Sequence, residues 1–422
     1  MSSEIAFVSI HGDPLASLGG THHGGQNVYV KELSRYLGAL GLTVDVYSRW
    51  ENEEQPPEEK YSRGTQVIRI PVGPSDVIPK EQIISLLGDL ASWIPTYQIQ
   101  KGLHYQLVHS HYYFSGAVGI HLKKTWGIPL VHTFHSLGAV KGESLGTKDQ
   151  SPGARLEIER KICHTADRII ATSPQEKIDL VEYYQTDPDK IRIIPCGVNL
   201  DLFQPLPQEE SRTEIAFSID DFLITYVGRL EERKGIDTLL KSIHLANDPQ
   251  IQVVIVGGPP TDKPFLSWKE LSEEPYRKYM SQIDEYGIEK QVTFTGGKSQ
   301  DQLSKYYSAA DVTVIPSYYE PFGMTAIEAM ACGSSVIASR VGGLKSTVKE
   351  NIVGALFEPR SADQLAEKIK ILKDQPATNK ELRKNARPYV EDNFSWKSVA
   401  TAVTEVYQEL LQSEGEEIGE EQ

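Results

Sequence analysis

Cys196-Gly197-Val198-Asn199-Leu200-Asp201-Leu202-Phe203-Gln204-Pro205-Leu206-Pro207-Gln208-Glu209-Glu210 is the stretch that decides how this chain is organised. Dense in Pro, Gly and acidic residues, it reads as a linker between domains. Before it, short β-rich runs alternate with helical patterns: Ile5 to Ile10, Thr43 to Tyr47, Val67 to Val72, Leu107 to His111, Leu130 to Thr133, Arg168 to Thr172 and Ile191 to Pro195. After it the alternation restarts with Phe222 to Val227, Gln252 to Val256, Val292 to Thr295, Val312 to Pro316 and Ser335 to Ser339. Such alternation predicts parallel sheets covered by helices, an α/β fold. The 422 residues exceed what one hydrophobic core supports and fit two domains of about 200 residues each. The expected domains are residues 1–197 and 198–395, each Rossmann-like. Residues 396–412 form a helix packing back on the first, and residues 413–422 a disordered acidic tail.

Composition narrows the function. The net charge of −15, with no basic stripe to neutralise phosphates, argues against a nucleic-acid partner. Cys163, Cys196 and Cys332 are widely spaced in apolar contexts, which fits reduced buried thiols in a cytoplasmic setting. Met1 to Ile10 lacks both a basic start and a long apolar core, so neither a signal peptide nor a membrane span is expected.

Ligands of open parallel sheets bind beyond the carboxyl ends of the strands, and two such domains facing each other define a cleft. Most of the unusual residues follow strand ends. Gly24-Gly25-Gln26-Asn27 opens a helix, where two glycines let backbone approach a ligand and the helix start offers N–H donors to an anion; Gly19-Gly20 and Thr21-His22-His23 lengthen this connection. Neither a dinucleotide fingerprint with its acidic partner nor a Walker loop appears, which disfavours a dehydrogenase or P-loop kinase. Gly228-Arg229-Leu230-Glu231-Glu232-Arg233-Lys234-Gly235 begins the second domain's first βα connection. The plain alternative for this stretch is a solvated charged loop. Beside Gly257-Gly258 and the glutamates described next, Arg229 and Lys234 read as a planar fork and a point charge straddling a diphosphate.

Those glutamates lie in Tyr319-Glu320-Pro321-Phe322-Gly323-Met324-Thr325-Ala326-Ile327-Glu328. Pro321 and Gly323 hold Glu320 on irregular backbone, while the following helix carries Glu328 about one turn in. Carboxylates that grip hydroxyls beside a helix start that holds phosphate suggest a nucleotide sugar. In the first domain Lys80, Lys141 and Arg155, with Ser136 and Gln26, are candidates for a smaller phosphate if they converge. His109, His111, His132 and His135 raise a zinc site, but no carboxylate or cysteine completes a ligand spacing, and no metal is expected. Asp187-Pro188-Asp189 reads as an acidic turn.

Taken together, these residues resemble the retaining glycosyltransferases of family 4, which have the two-domain GT-B architecture. The resemblance rests on Glu320 to Glu328, on Gly228-Arg229 with Lys234, on Gly257-Gly258 and on Gly24-Gly25-Gln26, and spans nearly the whole chain. The N-terminal half is similar to sucrose-phosphate synthases and to the inositol-phosphate glycosyltransferases of mycothiol synthesis. The resemblance implies a donor site of Gly24, Gly25, Gly228, Arg229, Lys234, Gly257, Glu320, Phe322, Gly323, Met324, Thr325 and Glu328. Glu320 would meet the donor sugar's hydroxyls and Glu328 the ribose. It implies an acceptor site of Gln26, Lys80, Tyr113, Ser136, Lys141 and Arg155, and catalytic roles for His135, Glu320, Arg229 and Lys234. His11-Gly12 and His135-Ser136-Leu137-Gly138 lean towards sucrose-phosphate synthase. Asn27 and Val341-Gly342-Gly343-Leu344-Lys345 lean towards the inositol-phosphate enzymes, and Gly153 stands where sucrose-phosphate synthases tend to carry a second arginine.

The expected activity is metal-independent, cofactor-free transfer of glucose, with retention, from UDP- or ADP-glucose to fructose 6-phosphate, giving sucrose 6-phosphate. A sucrose-phosphate phosphatase is a natural downstream partner. The rival acceptor is inositol phosphate. A nucleotide-sugar epimerase of the same fold would need no acceptor pocket, and a non-enzymatic nucleotide-sugar sensor would need no intact acceptor set.

Overall fold

The structure, a computed structural model, describes residues 4–16, 24–145 and 153–420. Gly19-Gly20 and Thr21-His22-His23 lie outside them. The chain forms two compact units: one runs to Cys196 and takes in the C-terminal segment from Trp396, and the other comprises Gly197–Ser395.

The first unit is built on β1 (Glu4–Val8), β2 (Thr43–Arg49), β3 (Glu58–Ser62), β4 (Thr65–Ile70), β5 (Leu107–His111), β6 (Leu130–Thr133), β7 (Arg168–Ala171) and β8 (Ile191–Ile193). They form one eight-stranded sheet in the order β3-β4-β2-β1-β5-β6-β7-β8. All pairings are parallel except β3 with β4. Ile5, Ala6, Phe7 and Val8 are all fully buried, as both faces of the central strand are covered by helices. The chain order reverses at β1: β2 lies on one side and β5 on the other. Loops leaving these strand ends therefore part and open a crevice.

In the second unit β9 (Phe222–Val227), β10 (Ile251–Pro260), β11 (Val292–Gly297), β12 (Val312–Ile315), β13 (Ser335–Ser339) and β14 (Gly354–Phe357) form a parallel six-stranded sheet, β11-β10-β9-β12-β13-β14. The order reverses at β9, so the loops after β9 and β12 flank the switch point. Gly257-Gly258, expected just past a strand, lies in the irregular end of β10, where register shifts reach Pro260.

Two strands had escaped the periodicity. β3 reads Glu-Glu-Lys-Tyr-Ser, an antiparallel edge strand too charged to stand out. β14 has only Gly354–Phe357 to show. The C-terminal helix Trp396–Glu420 packs against helix Gly25–Ala39, with the Trp396 ring 5.4 Å from that of Tyr29. It runs through Ser413 to Glu420, which corrects the disordered tail expected from residue 413. Glutamate is a good helix former, and extending an existing helix avoids the cost of nucleation. Among the described residues no helix is long and apolar enough to cross a membrane.

Candidate active site

In the second unit three connections meet at the switch point. Gly228 donates its N–H to Val256 O at 3.0 Å, and a Cβ on Gly257 would stand 2.0 Å from Gly228 O, so the ends of β9 and β10 touch backbone to backbone. The turn Glu232–Lys234 then leans on the loop after β12: Tyr318 N–H donates to Arg233 O at 2.7 Å, and Tyr318 Oη donates to Asp237 Oδ2 at 2.8 Å. Gly235 closes that turn with φ 68°, a conformation open to glycine, and a Cβ there would meet Pro316 O at 1.9 Å. Gly235→Ala is accordingly expected to lower stability by about 2–3 kcal/mol, read from the urea midpoint, and to weaken nucleotide binding by moving Lys234.

This packing brings Lys234 to Glu320. Nζ lies 2.5 Å from Oε2, with the two side chains only 15% and 14% exposed, and Ser317 Oγ donates to the same oxygen at 3.3 Å. Burial pushes the Glu320 carboxyl up, but the charges of Lys234 and Arg233 and these hydrogen bonds outweigh it, and Glu320 stays below the ordinary range. Lys234 is pulled down chiefly by burial, against the attraction of Glu320. The loop carrying Glu320 is clamped in turn by Gly343, whose N–H donates to Glu320 O at 3.1 Å, and by Gly342 at φ 45°, where a Cβ would meet that carbonyl at 2.1 Å.

Arg229 is exposed and pairs with Glu231 at 2.8 Å, while Arg233 Nε donates to the other Glu231 oxygen at 2.7 Å. Arg229 and Lys234 are thus held by different carboxylates, Glu231 and Glu320; sequence reading had anticipated only the second of these acids as a site residue. Phe322 is buried, with its ring 5.9 Å from that of Phe394. Gly323 N-caps helix Met324–Ala331, and Met324 and Thr325 form its half-buried first turn. Glu328, on the same helix, is 8% exposed and accepts from Tyr307 Oη at 3.0 Å. Burial lifts its carboxyl to about 7, against the Tyr307 hydrogen bond and the charge of Lys234.

In the first unit the organising side chain is Tyr112. It follows β5 with φ 73°, a strained conformation for a bulky residue. Lys80 Nζ lies 5.0 Å from its ring centroid and donates to its Oη at 3.4 Å, and the Arg155 guanidinium stands 5.2 Å from the same ring and 5.0 Å from that of Tyr113. Arg155 Nη2 also donates to Ser136 O at 2.8 Å. Lys80, Arg155 and Ser136 therefore do converge. The hydroxyl among them is that of Tyr112; Tyr113, expected as an acceptor residue, is 3% exposed and has the Arg155 guanidinium 5.0 Å from its ring centroid. Gln26, near the start of helix Gly25–Ala39, which Gly24 N-caps, donates to Ser9 Oγ at 3.2 Å and to the carbonyl of His111, beside Tyr112. Lys141 is half-buried on helix Gly138–Leu145, just beyond Ser136.

Arg155 has a further partner that sequence reading missed. Its Nε donates to Glu159 Oε1 at 2.8 Å, and the fully buried Glu159 also accepts from Gly138 N–H and from Tyr184 Oη at 2.6 Å. The i,i+4 spacing on helix Gly153–Thr165 was the signal available for it.

The histidines cluster at β5 and the end of β6, with His109, His111 and His132 fully buried and His135 partly exposed. His109 bonds Tyr407 Oη at 2.6 Å and Thr133 Oγ1 at 2.9 Å, His132 bonds Ser110 Oγ at 2.7 Å, and His111 Nδ1 lies 3.1 Å from His135 Nε2. His135 has φ 60°, a strained turn just past β6, and its Nε2 is engaged by His111. Among the described residues no group of three or more His, Cys, Asp and Glu side chains is placed to hold a metal ion. Burial drives His109, His111 and His132 well below the ordinary range and His135 to about 3. Because these folded-state values lie under the unfolded value of about 6.5, their contribution is full above pH 6.5 and is lost as pH falls below it. Glu176 and Glu328, both raised to about 7, and Asp45, also raised by burial, oppose this, but they are three carboxyls against four imidazoles. The urea midpoint is expected to drop between pH 7.5 and pH 5.

Two parallel-sheet units, the second with Arg229, Lys234 and Glu320 gathered at its switch point, fit the architecture of sugar-transferring enzymes. Residues 23–202 match the family described as Glycosyltransferase Family 4, and residues 207–389 match Glycosyl transferases group 1. The chain belongs to these glycosyltransferases and has their GT-B architecture. It is 34% identical to D-inositol 3-phosphate glycosyltransferase 2 of Catenulispora acidiphila, over 97% of this chain and 95% of that one. With D-inositol 3-phosphate glycosyltransferase of Acidothermus cellulolyticus it shares 33% identity over 96% and 90% of the respective chains. Among solved structures, sucrose-phosphate synthase of Thermosynechococcus elongatus is similar with a TM-score of 0.88 and 38% identity, covering 97% of this chain and 100% of that one.

Proposed function

We propose that this chain transfers glucose from UDP- or ADP-glucose to fructose 6-phosphate with retention of configuration, giving sucrose 6-phosphate. The observation that carries the reading is the convergence of Lys80, Arg155 and Ser136 on Tyr112, a cationic, hydroxyl-bearing seat suited to a phosphorylated acceptor. An epimerase has no use for such a seat. The 38% identity to a sucrose-phosphate synthase supports fructose 6-phosphate as that acceptor.

In the proposed reaction the bond from the anomeric carbon to the diphosphate oxygen breaks, and the bond to the acceptor hydroxyl oxygen forms on the same face. The hydroxyl proton passes to the departing phosphate. Arg229 and Lys234 stabilise the charge that develops on the leaving diphosphate as the sugar carbon becomes cationic. Glu320 receives the donor sugar's hydroxyls and orients Lys234; Glu328 receives the ribose; His135 lies by the transferred sugar as a neutral imidazole. No metal enters the step. The product is a phosphate monoester in the cytoplasm, a substrate for a sucrose-phosphate phosphatase.

A second reading keeps the chemistry and takes inositol phosphate as acceptor, favoured by curated relatives of that activity at 34% and 33% identity. One experiment separates them. The purified protein is incubated with UDP-, ADP- and GDP-glucose against fructose 6-phosphate, inositol phosphate and unphosphorylated fructose, and the products are identified by mass spectrometry and NMR. Sucrose 6-phosphate with an α-glucosyl linkage is expected. Transfer to inositol phosphate alone would establish the second reading, and transfer to free fructose at equal rate would remove the phosphate seat from the argument.

A further inference from the structure

We propose that Tyr307 is a positioning residue of the donor site: its hydroxyl donates to Glu328 and fixes that carboxylate as a hydrogen-bond acceptor for the donor's ribose. This rests on the donor reading of Glu328 above and adds to it a residue 21 positions away in sequence. Tyr307 lies on helix Gln300–Ala309, which packs against helix Met324–Ala331. Its side chain is fully buried, with the Phe203 ring 6.2 Å from its own and Oη 3.0 Å from Glu328 Oε2.

The chemistry of that contact is one-directional. Burial keeps the Tyr307 hydroxyl far above its usual pKa, so it remains protonated and can only donate to an ionised partner. The ionisable groups facing Glu328 are Tyr307 from the neighbouring helix, Lys234 from the turn after β9, and Cys332 from the end of its own helix. Lys234 is committed to Glu320 at 2.5 Å, and the Cys332 thiol, itself pushed up by burial to about 12, brings no positive charge. Among the described residues, Tyr307 is thus the group at hydrogen-bond distance that favours the anion. Without it, burial acts on Glu328 with less opposition, and a protonated carboxyl loses acceptor capacity towards two ribose hydroxyls.

The test is the affinity for UDP, ADP and GDP, measured by calorimetry on the full chain between pH 6 and 8.5, which needs no acceptor. In the unmodified protein the best-bound nucleotide should weaken as pH falls through about 7. Tyr307→Phe, which keeps the ring, should weaken it about tenfold at pH 7.5, move the acid limb of the profile about one unit upward and leave kcat at saturating donor nearly unchanged. Glu328→Gln should bind weakly with a flat profile, and the double variant should be no weaker than Glu328→Gln alone. Tyr307→Phe with unchanged affinity and an unmoved limb would overturn the proposal, as would a double variant weaker than Glu328→Gln by the full factor of Tyr307→Phe. A Glu328→Gln variant that binds as tightly as the unmodified protein points elsewhere: the donor reading of Glu328 fails, and this proposal with it.

Discussion

Lys234→Ala should cut kcat/KM for the nucleotide sugar on the order of a thousandfold, the scale of removing a preorganised charge from a transition state. The loss has two parts, and the structure shows how to separate them. Lys234 is the counter-charge of Glu320, 2.5 Å away with both side chains largely out of solvent. Removing it leaves an anion that burial already works against, and Glu320 is expected to take up a proton more readily. Breaking a fully buried pair costs about 3–5 kcal/mol; the residual exposure of this one discounts that to about 2 kcal/mol. In the double variant Lys234→Ala with Glu320→Gln, the urea midpoint should recover while activity stays lost. Near-normal turnover in Lys234→Ala would sink the diphosphate assignment. Recovered turnover in the double variant would mean that Lys234 serves only to neutralise Glu320.

The second large effect is expected at Arg155, where stability moves as much as catalysis. Among the described residues, Arg155→Ala removes the cation bonded to Glu159, whose side chain is wholly buried, and leaves that carboxylate to Gly138 N–H and Tyr184 Oη. A loss of about 3–4 kcal/mol is expected in equilibrium unfolding. The acceptor KM should rise far more than the donor KM, because the same guanidinium stands over Tyr112 and bonds Ser136. Lys80→Ala tests the same seat: Lys80 is half-buried and donates to Tyr112 Oη at 3.4 Å, so its loss should also raise the acceptor KM. If both variants left the acceptor KM unaltered, the phosphate seat would have to lie elsewhere in the first unit.

Periodicity in the chain identified most strands of both sheets because burial on two faces imposes continuous apolar runs, as in Ile5 to Val8 and Val253 to Val256. The strands it missed are Glu58–Ser62, a charged edge strand, and Gly354–Phe357, which is buried but spans only four residues, too few to display a period. Site residues announced themselves where the backbone needed glycine or proline, at Gly228, Gly257 and Pro321 to Gly323, because such demands are local. Partners did not. Glu231 stood within the quoted loop, yet nothing in its spacing said that it would hold Arg229. Tyr112 and Tyr113 are indistinguishable as letters, and only the left-handed turn at Tyr112 aims its hydroxyl at Lys80.

The chain's own pattern therefore determined the α/β class, the linker at Cys196 to Glu210 and the loop-to-helix placement of Glu320 and Glu328. Tertiary structure alone decided that Lys234 meets Glu320 across 86 residues, that Lys80 and Arg155 meet over Tyr112, and that Tyr307 faces Glu328. The physical reason is that secondary structure and burial are written in spacings of two to four residues. Which strand ends become neighbours depends instead on strand order, here β9 inserted between β10 and β12, and no local spacing encodes that order.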